Sequence, residues 1–322
     1  MFKNVMVYRI GEGWSPSLTD VESALQGARF VECGATQDKS VGWAEPRGQD
    51  HGPLVESVGG QWIAKLVIES KAVPGNVVRR KLDEQVAEIE AATGRKPGKK
   101  EKRDMQDEIL LSLLPQAFAR QSSVLVWLDM KARRLVLNAG SQGKADEAVS
   151  ALLKALPGLN IALLQTATTP QAAMTEWLLA ANPEDWPADL CVERECTLKA
   201  TGEDAASIRY VRHHLATEDV RKHVTEGKLP TQLALSWDGR VAFVLTETLQ
   251  LKKVQFLDGV MDASGTDKNE DRFDADVALS TGLLSPLLDS LIAALGGEME
   301  WGAQTAPAPV QAVAAAADDP PF

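Results

Sequence analysis

The sequence predicts an α+β protein built on mixed, largely antiparallel sheet domains, with a protruding helical hairpin. Three observations carry this. Apolar residues alternate in separate runs such as VMVYRI (5 to 10), WIAKLVIESKAV (62 to 73) and SSVLVWLDM (122 to 130), the period-two pattern of strands. Asp238-Gly239 sits between TQLALSW and RVAFVLT, and this dipeptide supplies the positive φ angles of a type I′ turn, so the two runs form an antiparallel hairpin. Two helical-period stripes, one around Val78, Leu82, Val86 and Ile89 and one around Met105, Ile109 and Leu113, flank a short connection, as a helical hairpin would.

Along the chain, 5 to 10 is a strand, SLTDVESALQGA (17 to 28) a helix, and 62 to 73 a longer strand. Pro74 changes the texture. The helix that follows carries Arg79, Arg80 and Lys81 beside its apolar stripe and ends at Thr93-Gly94, glycine being suited to a helix terminus. The second helix, with Leu110, Leu114 and Phe118 beside its stripe, is interrupted near Pro115. A strand pair follows at 122 to 130 and RRLVLNA (133 to 139), then a helix at KADEAVSALLKALP (144 to 157) and a strand at NIALLQT (160 to 166). ANPEDWPAD (181 to 189) reads as a boundary before LCVERECTLKA (190 to 200) alternates again. Leu284, Leu287, Leu288, Leu291, Ile292 and Leu295 mark a last helix that stops at Gly296-Gly297. The folded part is expected to end near Trp301, and 302 to 317, rich in Ala, Pro, Val and Gln, reads as a flexible tail. The expected domains are 1–73 with 119–180 as a central α+β unit, 74–118 as a helical tip, 181–301 as a second α+β base unit, and 302–322 as the tail.

Composition narrows the functional classes. With 322 residues, 44% apolar and 25% charged, the chain can bury a sizeable core in about two domains. Three cysteines, Cys33, Cys191 and Cys196, with CVEREC between the last two, make neither a CxxC redox pair nor a zinc knuckle and fit a reducing compartment. The N-terminus lacks an apolar h-region and no unbroken apolar run approaches membrane length. A cytoplasmic protein with no membrane role is expected.

Several chemistry-bearing patterns fail on spacing. AGSQGKADE (139 to 147) lies between a strand and a helix, but its GxxGK is followed by Ala145, so it lacks the amide cradle and the magnesium hydroxyl of a P-loop. DKNEDRFDAD (267 to 276) begins like a calcium loop yet has Arg272 at the position needing glycine and Ala278 where a bidentate Glu belongs. His213, His214 and His223 match no zinc spacing. They read as surface or interface groups. Trp127, Trp177 and Trp237 sit in apolar patterns and read as core. No metal or cofactor is expected.

What remains is GRKPGKKEKRD (94 to 104). Its nine residues from Arg95 to Arg103 hold six basic side chains and one acid in a chain of net charge −11. Setting them aside leaves 28 basic against 44 acidic positions, a balance of −16. A solvated loop is the plain explanation; phosphate binding is the functional one. Screening over about 8 Å at physiological salt lets a phosphate beside Lys99 and Lys100 respond to local charge instead of the chain's total.

FKNVMVYRI, VGWAEP (41 to 46), DEILLSLLPQAFAR (107 to 120), MTEWLLA (174 to 180), KLPTQLALSWDGRVAF (228 to 243) and RFDADVALSTG (272 to 282) through LGGE (295 to 298) together resemble the recombination-associated RdgC family, collinearly from residue 2 to about 298. The resemblance implies a ring-shaped homodimer that binds duplex DNA, with single-stranded DNA as a further candidate, without sequence preference through a positively charged hole. It implies restraint of the RecA recombinase and no enzyme activity. Arg79, Arg80, Lys81, Lys99, Lys100, Lys102, Arg103 and Arg120 would then line or approach the hole and contact phosphates. Phe118 matches a family aromatic near the contact between helical tips; read alone, it is a buried residue capping the helix. Arg212 and His213, in IRYVRHHL, lie where the family has polar or basic residues at the other closure, and this chain departs there with Tyr210 and a histidine pair.

The last residues, AAADDPPF, place Asp318, Asp319, Pro320, Pro321 and Phe322 at the tip of the tail. They resemble the acidic tip of bacterial single-stranded-DNA-binding protein, which implies docking on a repair or replication protein; a solubilising acidic tail is the plain alternative. The competing functional classes are a metal-dependent nuclease using unpatterned carboxylates and an interaction module acting only through this tail.

Overall fold

The computed structural model describes residues 2–180, 182–201, 206–257 and 269–299. Two antiparallel sheets organise them. The first is built from β1 (Met6–Ile10), β2 (Lys39–Ala44), β3 (Val55–Val58), β4 (Gln61–Lys71), β5 (Ala119–Asp129), β6 (Arg134–Leu137) and β7 (Ile161–Leu163), in the order β2-β4-β5-β6-β1-β7 with β3 also on β4. With α1 (Leu18–Gln26), α2 (Gly75–Thr93), α3 (Lys99–Leu113), α4 (Gln142–Ala155) and α5 (Pro170–Leu179) between or after these strands, the α+β class stands. The second sheet has the order β12-β11-β10-β8-β9, from β8 (Leu190–Ala200), β9 (Ser207–Val211), β10 (Lys228–Trp237), β11 (Val241–Thr246) and β12 (Leu251–Phe256). It is accompanied by α6 (Glu218–Thr225) and α7 (Asn269–Ala294).

Local chemistry explains the boundaries. At the start of α1 the Ser17 hydroxyl accepts from the Asp20 N–H, and the Asp20 carboxylate accepts from the Ser17 N–H, a reciprocal cap that satisfies two donors the helix leaves free. Asp238 and Gly239 take φ of 47° and 61°, the turn geometry their sequence requires, and β10 pairs with β11 from Gln232↔Thr246 to Trp237↔Val241. Past the end of α7, Gly296 and Gly297 have φ of 80° and 94°, and the Gly297 N–H reaches back to the Ile292 carbonyl. In VGWAEP, a Cβ on Gly42 would lie 2.4 Å from the Phe30 Cα. The segment 28–30 lies parallel alongside β2 that closely because its backbone bonds to Trp43 on both sides.

The first sheet is covered on both faces. Tyr8, Leu66, Val126 and Leu137 point to a core shared with α1 and α4. Val7, Ile63, Trp127 and Val136 point the other way, into a core shared with α5, α6, α7 and the second sheet. Helix α5 packs against β10, β11 and α6. Residues 3 to 5 also join the two sheets: Val5 and Leu251 exchange both backbone hydrogen bonds, and the Val254 N–H donates to the Lys3 carbonyl.

Three arginines clamp α7 and the segment after it to the first sheet. Arg134 meets Asp289 at 2.7 Å, Arg47 meets Asp274 at 2.6 Å, and Arg9 pairs with Glu298. Arg47 also lies 4.7 Å from the Phe273 ring centre, a stacked cation that guanidinium chemistry favours. An 18-residue window of α7 has a mean hydropathy of 1.6, enough by length and composition to cross a membrane, although no unbroken apolar run marks it in the sequence. Its Leu284, Leu287, Leu288 and Leu291 are buried in the core between the sheets.

Candidate nucleic-acid interface

The helices α2 and α3 leave the first sheet and return to it at one point. Lys71, the last residue of β4, is paired with Ala119, the first of β5, so 72 to 118 form an excursion whose two ends touch. Helix α2 begins behind Pro74, whose fixed φ suits a helix entrance, and stops at Gly94, which takes φ 71° and donates to the Glu90 carbonyl. The two helices pack on each other through a thin seam: Val78 and Ile109 are buried, while Leu82, Val86, Ile89, Met105 and Leu113 are half-buried.

The basic run, expected as a connection, is split by the structure. Residues 95–98 connect the helices, and there Arg95 is paired with Glu101 at 3.1 Å and Lys96 with Glu90 at 3.5 Å. Lys99, Lys100, Lys102 and Arg103 instead form the opening turns of α3. Among the described residues none of these four has an acidic partner within 4 Å; Lys99, Lys100 and Arg103 are exposed and Lys102 half-buried. The Glu101 carboxylate accepts from the Gly98 N–H at 3.2 Å and complements the positive helix start. The four cations oppose it, at about 0.3 to 1 kcal/mol each before screening. Local helix stability therefore does not account for this concentration of charge.

The other basic candidates lie elsewhere on the excursion. Arg79, Arg80 and Lys81 are in the second turn of α2, close to the sheet. Arg80 is 3.8 Å from Glu84. Arg120 is in β5 opposite Ser70. Thirteen residues of helix separate Arg80 from Thr93 at the far end of α2, about 20 Å at 1.5 Å per residue. The eight cations thus form two groups, one at the sheet and one at the tip.

Phe118 is 94% exposed, which removes the buried-cap explanation. It stands one residue before β5, at the sheet end of the excursion, and Leu110 and Leu111 on α3 are exposed too, at 37% and 52%. The sequence assigns Leu110 to the flank of the apolar stripe; the turn of the helix carries it outside the seam. Arg212 follows β9, the edge strand, and takes φ 55°. The exposed His213 ring lies 5.1 Å from that of Tyr210, and the His213 backbone N–H donates to the Arg194 carbonyl. Burial, together with the hydrogen bond to Asp219 at 2.9 Å, pushes the Tyr210 hydroxyl up to about 12.

The three histidines point to different partners: His214 Nδ1 accepts from the Ala216 N–H, while His223 Nδ1 faces Lys228 Nζ at 3.1 Å. Among the described residues no three His, Cys, Asp or Glu side chains gather as metal ligands would. Asp318, Asp319, Pro321 and Phe322 lie outside the described residues, as does Asp267 of the calcium-like stretch.

Compared with known proteins, residues 1–298 match the family model described as "Putative exonuclease, RdgC". The chain belongs to the RdgC family. It is 39% identical over 303 residues to the recombination-associated protein RdgC of Dechloromonas aromatica, covering 92% of this chain and 98% of that one. It is 41% identical over 299 residues to the RdgC of Cupriavidus pinatubonensis, again 92% and 98%, and 40% identical over 301 residues to that of a Janthinobacterium species, 93% and 99%. The family match takes in the whole α2–α3 excursion and ends before the acidic tail.

Proposed function

We propose that this chain binds duplex DNA without regard to base sequence, as a ring-shaped homodimer, and that it modulates homologous recombination by limiting the access of RecA recombinase to DNA. The observation that carries the reading is the set of four cations opening α3 that have no acidic partner within 4 Å among the described residues. They stand at the end of a helical hairpin, where the helix dipole disfavours them. A polyanion makes such an arrangement favourable, because each neutralised phosphate releases counterions. The names of the relatives support the recombination part.

A closed ring of two copies needs two self-complementary patches per chain. Exposed Phe118 with Leu110 and Leu111 offers one, and Arg212 with His213 beside the edge strand offers the other. The protein would act in the cytoplasm at the nucleoid, without enzyme activity, and its acidic tail would supply a separate contact for a repair or replication protein.

Replacing Lys99, Lys100, Lys102 and Arg103 together by Gln tests the reading. The slope of log affinity against log salt should become shallower by about 3.6, with random duplexes competing equally. Unchanged affinity and slope in dilute buffer would sink it. The family description favours a second reading as a nuclease. Shortening of end-labelled duplex by the unaltered chain with magnesium or manganese would decide for that one.

A further inference from the structure

Among the described residues, no helix covers one face of the second sheet. Helices α5, α6 and α7 pack on one side of it, the side of Leu198, Leu233, Phe243 and Leu251. Register places a different set on the opposite side: Thr197 pairs with Arg209, Lys199 with Ser207, Val244 with both Ala234 and Lys252, and Ser236 with Ala242 and Cys191. Paired residues share a face. The centre of this open face is therefore low, made of Ala234, Ala242, Ser236 and Val244, and its cations stand at the rims.

Charge gives the face its chemistry. Among the described residues it carries Lys199, Arg209, Lys252 and Lys253 against two carboxylates, Glu193 and Glu195, and both are engaged. Glu195 meets Lys253 at 3.5 Å across the short central side chains, and Glu193 accepts from the Ser236 hydroxyl at 2.8 Å. Lys199, Arg209 and Lys252 have no acidic partner within 4 Å among the described residues. Lys199 and Arg209 are exposed and Lys252 is half-buried. From β9 to β12 there are four strand spacings, about 19 Å at 4.8 Å each. The Glu195–Lys253 pair crosses the middle of the face, and the unpaired cations on either side of it offer each rim its own phosphate.

We infer that the open face of the second sheet is a further phosphate-contacting surface for duplex DNA, with Lys199 and Arg209 on one rim and Lys252 on the other. This inference rests on the DNA-binding reading and adds to it a surface outside the helical excursion. Such contacts position the duplex without reading bases.

The exposed thiol of Cys191 lies on this face, whereas Cys196 is buried on the other. The test uses the full chain: maleimide labelling of Cys191, followed by mass spectrometry with and without saturating duplex, beside salt-dependent anisotropy of a Lys199→Gln, Arg209→Gln, Lys252→Gln variant. Duplex should slow Cys191 labelling several-fold, and the variant should bind with a salt slope shallower by about 2.7. Labelling at an unchanged rate under saturating duplex overturns the inference whether or not the variant folds. If the α3 variant has then lost duplex binding, the helical reading stands without this face. An unaltered chain that binds no duplex overturns both.

Discussion

The two sheets use similar alternation to different ends. In the first, both faces of the central strands are apolar, because Trp127 and Val136 serve one core while Val126 and Leu137 serve another. In the second, one face is apolar and the other carries Thr197, Lys199, Arg209, Gln232 and Lys252 among small residues. An antiparallel sheet can face water on one side, but one buried twice has no surface left for partners. The first sheet therefore offers its basic candidates mainly through what leaves it, the excursion between β4 and β5, with Arg120 at the start of β5. The second can offer it directly on its strands.

Breaking the covered sheet should produce the largest effect. Trp127 has no exposed surface and its indole N–H donates to the Gln61 side-chain oxygen Oε1 at 2.7 Å. Trp127→Ala should lower stability by about 3 to 5 kcal/mol in urea unfolding, from lost burial and an orphaned acceptor. A loss below 1 kcal/mol would show that this face is not packed as described.

A smaller effect is expected where the helical excursion joins the sheet. Glu69, paired with Gln121, accepts from the Gln121 side chain and the Cys33 N–H. These hydrogen bonds, the Gln121 one foremost, hold its carboxyl below the usual range. A carboxylate with a lowered pKa in the folded chain contributes stability above its unfolded value, near 4.3. That contribution disappears as pH falls through the folded value. Glu69→Gln should therefore flatten the fall of Tm on acidification below about pH 4.5. Identical acid profiles for the two proteins would remove Glu69 from this role.

The smallest effect is expected on the open sheet. Val244 is half-buried and its neighbours across the ladder are Ala234 and Lys252, so Val244→Ala should cost within about 1 kcal/mol. A cost matching that of Trp127→Ala would mean that something covers this face, and the contrast between the sheets would collapse.

Legibility in the sequence followed the same division. The long strands β4 and β5 and the β10–β11 hairpin could be read because their apolar runs are continuous or bracket Asp238-Gly239. Strands β2, β3, β9 and β12 leave no such mark in the sequence. They have four to six residues each; β12 begins Leu-Lys-Lys and includes a bulged residue, Lys253 at φ 53°, and β2 contains Gly42. Such segments carry little periodic signal, and pairing supplies what their composition lacks. For the same reason Lys199, Arg209 and Lys252 look like scattered charges until register aligns them. The run at 95 to 103 stood out by charge alone, yet charge did not say where α3 begins.

By itself, the sequence determined the α+β class, the excursion and its basic run, the glycine-ended helices and the tight turn at Asp238-Gly239, because these depend on residues close together in the chain. Only the tertiary structure decided that Arg95 and Lys96 are already paired while Lys99, Lys100, Lys102 and Arg103 have no acidic partner among the described residues, that Phe118 faces solvent, and that the described residues leave one face of the second sheet uncovered. Pairing and exposure join residues distant in the chain, and their energies depend on which neighbours arrive in space.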